Sequence, residues 1–297
     1  MIARRGSVIC FDIGGTFIKF GLISTAGTVL FSQELPTASF PDRASLIRAI
    51  VSLARGIKAD YNKPSSPVIG IGIGLPGLID HQRGVVHYLV NIPGWRDVPL
   101  AKIVRKKTAL PVFIDNDVNL FALAELYYGS ARPYTDVICL TLGTGVGGGI
   151  IIDKTLFRGS TYSAGEIGHL QVDRCGARCN CGNVGCLETV IGTAGIIAQA
   201  RAAIRRSPSS LLARLVRTER LPFTPALISR AARANDPVAR ALWERTACCL
   251  GSALAGLVNV FNPDAFIIGG GVANAGGFLF EPLIGTVRRT AMRVPAG

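Results

Sequence analysis

Residues 7–24, SVICFDIGGTFIKFGLIS, run an apolar segment into Gly14-Gly15-Thr16 and out again into a second apolar segment. A third, Val29 to Leu35, follows the Ala26-Gly27 turn, so the opening reads as three antiparallel strands. Helical spacing at Leu46, Ile47, Ile50, Val51 and Leu53 marks Pro41 to Gly56, and Val68 to Leu75 reads as a buried strand. Helix Leu100 to Leu110, strand Val112 to Ile114 and helix Val118 to Tyr128 complete the order βββαβαβα. At 137–152, VICLTLGTGVGGGIII, the pattern restarts: strand Val137 to Leu142, a glycine turn Gly143 to Gly149, strand Gly149 to Ile152, and a short strand around Leu156. A repeat of architecture rather than of sequence predicts two similar α/β halves with a small-molecule cleft between them. Helices follow at Thr193 to Arg206, Pro225 to Ala234 and Pro237 to about Phe261, then strand Ala265 to Ile268 ending in Gly269-Gly270-Gly271.

With 297 residues, 49% hydrophobic and 17% charged, the chain has apolar surface for two ordinary cores, which excludes a disordered protein. The formal net charge of +13 is spread over scattered arginines such as Arg201, Arg205, Arg206, Arg214 and Arg217. No basic block interleaved with aromatics occurs, so no nucleic-acid partner is expected; a diffuse positive field suits anionic nucleotides instead. The opening MIARRGSVICFDIGG has no signal-peptide pattern and no apolar run reaches the roughly 18 residues of a membrane span, which predicts a cytoplasmic protein without a membrane partner. In a reducing compartment, eight cysteines point to thiols or metal ligands before disulfides.

All three glycine turns, at FDIGGT, LGTGVGGG and IIGGGV, are expected between strand and strand, not between strand and helix as a P-loop or dinucleotide fingerprint requires. Glycine still lets backbone N–H groups approach a phosphate closely. Asp12 precedes the first turn, where it could orient a magnesium ion through water, and Thr16 adds a hydroxyl.

The stretch GEIGHLQVDRCGARCNCGNVGCLE, residues 165–188, brings His169, Cys175, Cys179, Cys181 and Cys186 close in sequence. Thiolates with imidazole suit tetrahedral zinc. The expected ligands are His169, Cys179, Cys181 and Cys186, with Cys175 the alternative, and Gly182 and Gly185 let the chain fold back around the ion. Four protein ligands leave no open position, so such a zinc is structural, which disfavours a zinc hydrolase. Cys10, Cys139, Cys248 and Cys249 read as buried small hydrophobes, and His81 and His87 as loop residues.

IDNDVNLFALAE places Asp115, Asn116 and Asp117 where a strand ends and a helix begins. One of them can cap the helix, but a cap needs only one. Activating a poorly nucleophilic hydroxyl needs a carboxylate base, and Asn91, Asn116, Glu166, His169 and Glu188 are of the right type to fix the other hydroxyls of a polyol.

Together DIGGT (12–16), NIPGW (91–95), DNDVNLFALAE (115–125), LGTGVGGG (142–149), GEIGH (165–169) and CNCGNVGCLE (179–188) resemble the ROK family of sugar kinases and sugar-responsive repressors, almost from end to end. The resemblance implies an actin/hexokinase-like (ribonuclease H-like) α/β fold of two lobes, 1–116 and 117–297, with the zinc loop 165–188 in the larger second lobe, ATP and sugar in the cleft, and a homodimer. It makes Asp117 the catalytic base and Gly77, Asn91, Asn116, Asp117, Glu166, His169 and Glu188 sugar contacts, His169 doubling as zinc ligand. Asp12, Gly14, Gly15, Thr16, Gly143, Thr144, Gly145 and Gly147 would form the phosphate and Mg2+ site, with Gly269, Gly270 and Gly271 against the adenosine.

The implied activity is ATP-dependent phosphorylation of a hexose or N-acetylhexosamine, with the 6-hydroxyl of glucose foremost. An N-acetylmannosamine kinase and a non-catalytic sugar-sensing regulator are the alternatives. Only about half a dozen residues precede the first strand, too few for the helix-turn-helix of a regulator. Two departures from the family pattern stand out. Phe17 replaces the common Lys or Asn, with Lys19 pointing differently along the strand, and the chain stops at Gly297 where relatives continue through a further strand and helix, which suggests truncation.

Overall fold

The computed structural model describes residues 6–89, 94–218 and 223–293. Two compact units divide the chain, Met1–Arg132 with Arg158–Ala164, and Pro133–Phe157 with Gly165–Gly297.

In the first unit, the elements are β1 (Ser7–Ile13), β2 (Phe17–Ser24), β3 (Val29–Pro36), α1 (Arg43–Tyr61), β4 (Val68–Leu75), β5 (Gly77–Asp80), β6 (Val85–Leu89), β7 (Arg96–Val98), α2 (Leu100–Thr108), β8 (Val112–Asn116) and α3 (Asp117–Tyr128). The expected βββαβαβα order holds with one omission: β5, β6 and β7 form a separate three-stranded sheet that the short, irregular run 77–98 did not disclose. The larger sheet has the order β3-β2-β1-β4-β8, antiparallel from β3 to β1 and parallel from β1 to β8. One face carries Ile9, Phe11, Ile13, Ile18, Phe20, Ile71, Ile73 and Ile114, all buried in one core with Leu46, Ile50, Ala54 and Ile57 of α1 and Leu100 and Val104 of α2. Helix α1 starts on an Asp42–Ser45 capping box and runs past Gly56, because Ala54 and Ile57 continue its buried stripe. On the opposite face Lys19, Asp12, Gly74 and Asp115 are register partners across four adjacent strands.

The second unit contains β9 (Val137–Leu142), β10 (Val146–Ile152), β11 (Thr155–Phe157), α4 (Leu187–Ile191), α5 (Thr193–Arg206), α6 (Leu211–Thr218), α7 (Pro225–Arg233), α8 (Pro237–Phe261), β12 (Ala265–Gly269) and α9 (Gly277–Thr290). Its sheet, β11-β10-β9-β12, repeats the design of the first: an antiparallel meander with a parallel strand laid beside the meander's first strand. Helix α8 starts with Asp236 as N-cap and Pro237 in the first turn, and its Trp243, Leu250 and Leu254 join a core with Leu279 and Leu283 of α9. Helices α4, α6 and α9 were not anticipated. Strand β10 starts at Val146 rather than Gly149, because Gly147, Gly148 and Gly149 pair with Thr141, Leu140 and Cys139. Among the described residues no helix is long and apolar enough to cross a membrane.

Candidate active site

In the first unit the capping ambiguity at 115–117 is resolved by geometry. Asn116 is the N-cap of α3, its Oδ1 accepting from Val118 N at 2.9 Å and Asn119 N at 3.2 Å. Asp115 is buried; its Oδ1 accepts from Asn116 N at 2.8 Å and Asn119 Nδ2 at 3.1 Å, and its Oδ2 pairs with Arg158 at 2.5 Å. Asp117 occupies the first helical position, where the aligned peptide dipoles favour an anionic side chain, and accepts from Val118 N at 3.0 Å. Asn116 Nδ2 donates to the Gly77 carbonyl at 3.3 Å, and Gly77, at φ 131°, sits where a Cβ would collide with Tyr88 O. Asn91 lies outside the described residues.

Gly74 marks where the first turn of α3 packs closely on the sheet. A Cβ there would stand 3.5 Å from Asp117 Cα and 3.1 Å from Leu120 Cδ1, so the bare backbone lets the first turn of α3 settle on the sheet. Asp117 therefore stands over the strand that lies beside Asp12. Desolvation pushes the Asp12 carboxyl above its ordinary range, and Lys19 pulls it back down. Lys19 does not point differently from Phe17 as the sequence suggested: two residues on, it shares the same exposed face and is the register partner of Asp12. The Gly14-Gly15-Thr16 turn is held from behind by Thr37, whose Oγ1 donates to Gly14 O at 2.7 Å and whose N donates to Thr16 O at 2.9 Å.

The second unit holds the other two glycine turns. Gly143 N donates to Gly145 O at 2.9 Å, and Thr193, the first residue of α5, donates to Gly143 O from both N (2.9 Å) and Oγ1 (2.8 Å). Thr144 is left exposed at the tip. Gly147 lies within β10, paired with Thr141, and so falls outside the turn where it was expected. Gly269 ends β12, Gly270 (φ 92°) leaves no room for a Cβ against Leu142 O, and Gly271 opens a 3-10 turn that leads into α9. The third turn therefore joins strand to helix, not strand to strand. Gly143 of the second turn and Gly271 of the third have open space where a Cβ would be, which leaves room for a ligand to approach the backbone closely.

His169, Cys179, Cys181 and Cys186 converge as expected, their ligand atoms all within 4.8 Å of one another. Cys181 Sγ lies 3.6 Å from Cys186 Sγ, and Cys179 Sγ 3.6 Å from His169 Nδ1. Tetrahedral zinc with ordinary Zn–S and Zn–N bonds needs ligand separations of about 3.6–3.8 Å, which these two pairs match, and the thiol–imidazole donor set suits that ion. Gly182 (φ 96°) and Gly185 (φ 67°) make the fold-back, and at Gly185 a Cβ would collide with Asp173 O. Burial pushes the Cys186 thiol up to about 12 and raises Cys179, while the Asn183 amide lowers Cys181. Thiolates this close need a cation to be stable together.

Glu188 links this cluster to the glycine turn: Oε2 accepts from Val146 N at 3.2 Å and Oε1 lies 3.7 Å from Cys179 Sγ. At Gly145 a Cβ would push the Glu188 carboxylate away from Val146 N. On the other ring edge, His169 Nε2 is 3.7 Å from Glu166 Oε2. Sequence reasoning missed Arg158, whose partner Asp115 lies 43 residues earlier and leaves no local signal.

Comparison with known proteins bears on this arrangement. The ROK family model matches residues 8–296. A glucokinase of Halalkalibacterium halodurans is 39% identical over 92% of this chain and 82% of its own length. A ROK family glucokinase from Streptomyces griseus, solved in complex with glucose and AMPPNP, is similar with a TM-score of 0.83 at 34% identity, covering 98% of this chain and 91% of that one. A xylose repressor of Caldicellulosiruptor bescii is 35% identical over 94% of this chain and 69% of its own length. With nearly its whole length matched, the chain belongs to the ROK family and has its actin/hexokinase-like two-lobed fold.

Proposed function

We propose that the chain is an ATP-dependent glucokinase, moving the γ-phosphoryl group of ATP to the 6-hydroxyl of glucose. The observation that carries this reading is the seating of Asp117 over Gly74, at the positive end of α3 and beside the strand bearing Asp12. Asp117 accepts the proton of the sugar hydroxyl as its oxygen attacks phosphorus, a contribution of about 10²–10⁴-fold. Asn116, Gly77 and Asn91 orient the sugar together with Glu166, His169 and Glu188. Asp12 and Thr16, with the turns at Gly14-Gly15, Gly143–Gly145 and Gly269–Gly271, bind the nucleotide and its Mg2+.

The same reading gives His169, Cys179, Cys181 and Cys186 a structural zinc, which supplies a closed cross-link and no open coordination position. With Nδ1 turned to the thiols, His169 keeps the Nε2 proton and donates it to a sugar hydroxyl. Similarity to glucokinases favours glucose over N-acetylmannosamine, and a homodimer is expected. The likeness to a xylose repressor supports a second reading, a sugar sensor without turnover. ADP release measured against a panel containing glucose and N-acetylmannosamine separates the three. Turnover fastest with glucose is expected, turnover only with N-acetylmannosamine replaces the substrate, and sugar binding without ADP release favours the sensor.

A further inference from the structure

We propose that Arg158 is a positioning residue for this transfer: through Asp115 it fixes the strand end and helix start that carry Asp117. The inference rests on the kinase reading above and deepens it. Arg158 heads a loop, Arg158–Ala164, that belongs to the first unit although its chain neighbours on both sides belong to the second. The loop is closed at its neck by Ala164 N donating to Arg158 O at 3.1 Å and turns at Gly159 (φ 69°) and Tyr162 (φ 61°). A tyrosine in the left-handed region persists only where its surroundings hold it. Here the Tyr162 hydroxyl donates to Gln82 Oε1 at 2.9 Å and its ring meets His81 edge-on at 5.0 Å.

From this docked loop Arg158 reaches Asp115 at 2.5 Å, with the two side chains 22% and 7% exposed. Arg158 Nε is buried with no hydrogen-bond partner among the described residues. A buried pair with an unsatisfied donor is a poor device for stability, because desolvation offsets much of the attraction. It is a good device for orientation. The same Asp115 carboxylate holds Asn116 N, the amide directly before Asp117, and Asn119 Nδ2, one turn into α3. Without Arg158 the carboxylate is free to rotate or draw in water, and the Asn116–Asp117 junction shifts with it. Misplacement of a reacting group by about 1 Å can cost about 10²-fold in rate.

Steady-state kinetics of the metal-loaded full chain test this. In Arg158→Gln, kcat should fall about 10²-fold while KM for glucose and for ATP stays within about 3-fold, since a positioning defect acts in the transition state. The double variant Asp115→Asn/Arg158→Gln should lose no more than the worse single variant, because the two residues act as one unit. An unchanged kcat, a loss confined to KM, or single losses that multiply in the double variant overturns the proposal. Should Arg158→Gln fail to fold, Arg158→Lys, which keeps a cation against Asp115, is read in its place, with a kcat drop of about 10-fold expected and no drop overturning it. If the wild type phosphorylates no sugar, the kinase reading fails by itself, and amide hydrogen exchange decides the positioning. Val118 and Asn119 amides, both held by Asn116, then exchange about 10-fold faster or more in Arg158→Gln, and unchanged exchange refutes the role.

Discussion

The His/Cys cluster and the acid row beside Asp117 are built in opposite ways. Four ligands of the cluster fall within 169–186, and two left-handed glycines fold that short segment on itself. Its geometry is a local property of the chain. The acid row draws on β1, β4, β8, the start of α3 and a loop beginning at Arg158, and depends on the missing side chain at Gly74 and on an ion pair spanning 43 residues. Local sites announce themselves by spacing, whereas assembled ones do so only once strands are in register.

That contrast can be broken from the cluster side first. Cys181→Ser should leave the protein free of bound zinc by metal analysis and lower sugar affinity by about 10²-fold or more, since ligand loss in a closed site also releases His169. Zinc-free protein that keeps full sugar affinity would show the cluster to be independent of the pocket. A smaller effect is expected where the cluster meets the glycine turn. Gly145→Ala must displace the Glu188 carboxylate from Val146 N, and a rise of about 10-fold in KM for ATP or sugar follows from losing a charge-assisted bond. Unchanged KM values would mean that Glu188 has no part in binding.

On the assembled side, Gly74→Ala places a methyl 3.1 Å from Leu120 Cδ1 and 3.5 Å from Asp117 Cα. The side chain of Leu120 can give by a few tenths of an ångström, so kcat should fall only several-fold, with the fold kept, as read by circular dichroism and turnover. No change would mean that the seat of α3 tolerates the shift.

The smallest effect concerns Asp264, which ties the start of β12 to β9 by accepting from Thr135 N at 2.8 Å and Asp136 N at 3.0 Å. The Asp136 and Thr135 amides hold its carboxyl below the usual carboxylate range. In the acid window between the lowered native value and the ordinary one near about 4, the unfolded chain binds more protons, so stability rises with pH there. Asp264→Asn should melt a few degrees lower at pH 7, and the deficit should shrink as pH falls through that window. A deficit independent of pH would assign it to lost packing.

Much of the fold could be read before the structure. The meander at 7–36 and the bounds of α8 followed from glycine turns at strand ends and from Pro237 opening a long apolar stripe. Strands β5 to β7 could not be read: they are short, broken by a turn at 81–84, and owe their pairing to each other. Helix α6 is only eight residues long, and α9 follows a glycine run that reads as a loop until Gly271 starts a 3-10 turn. In the site, the convergence of His169, Cys179, Cys181 and Cys186 was evident from residue type and spacing. The cap at 115–117 was not, because it turns on Arg158 claiming the Asp115 carboxylate and on Asn116 Oδ1 accepting two helix amides; Asp117 as the base rests on the family resemblance.

The most direct test of the base at Asp117 compares wild type with Asp117→Asn, measuring glucose-dependent ADP formation and glucose binding on the same preparations. Glucose turnover in the wild type, a loss of about 10²–10⁴-fold in kcat in the variant, and glucose affinity kept within a few-fold is the predicted result. Equal turnover in the two proteins, or loss of glucose binding in step with loss of rate, would contradict a base at Asp117.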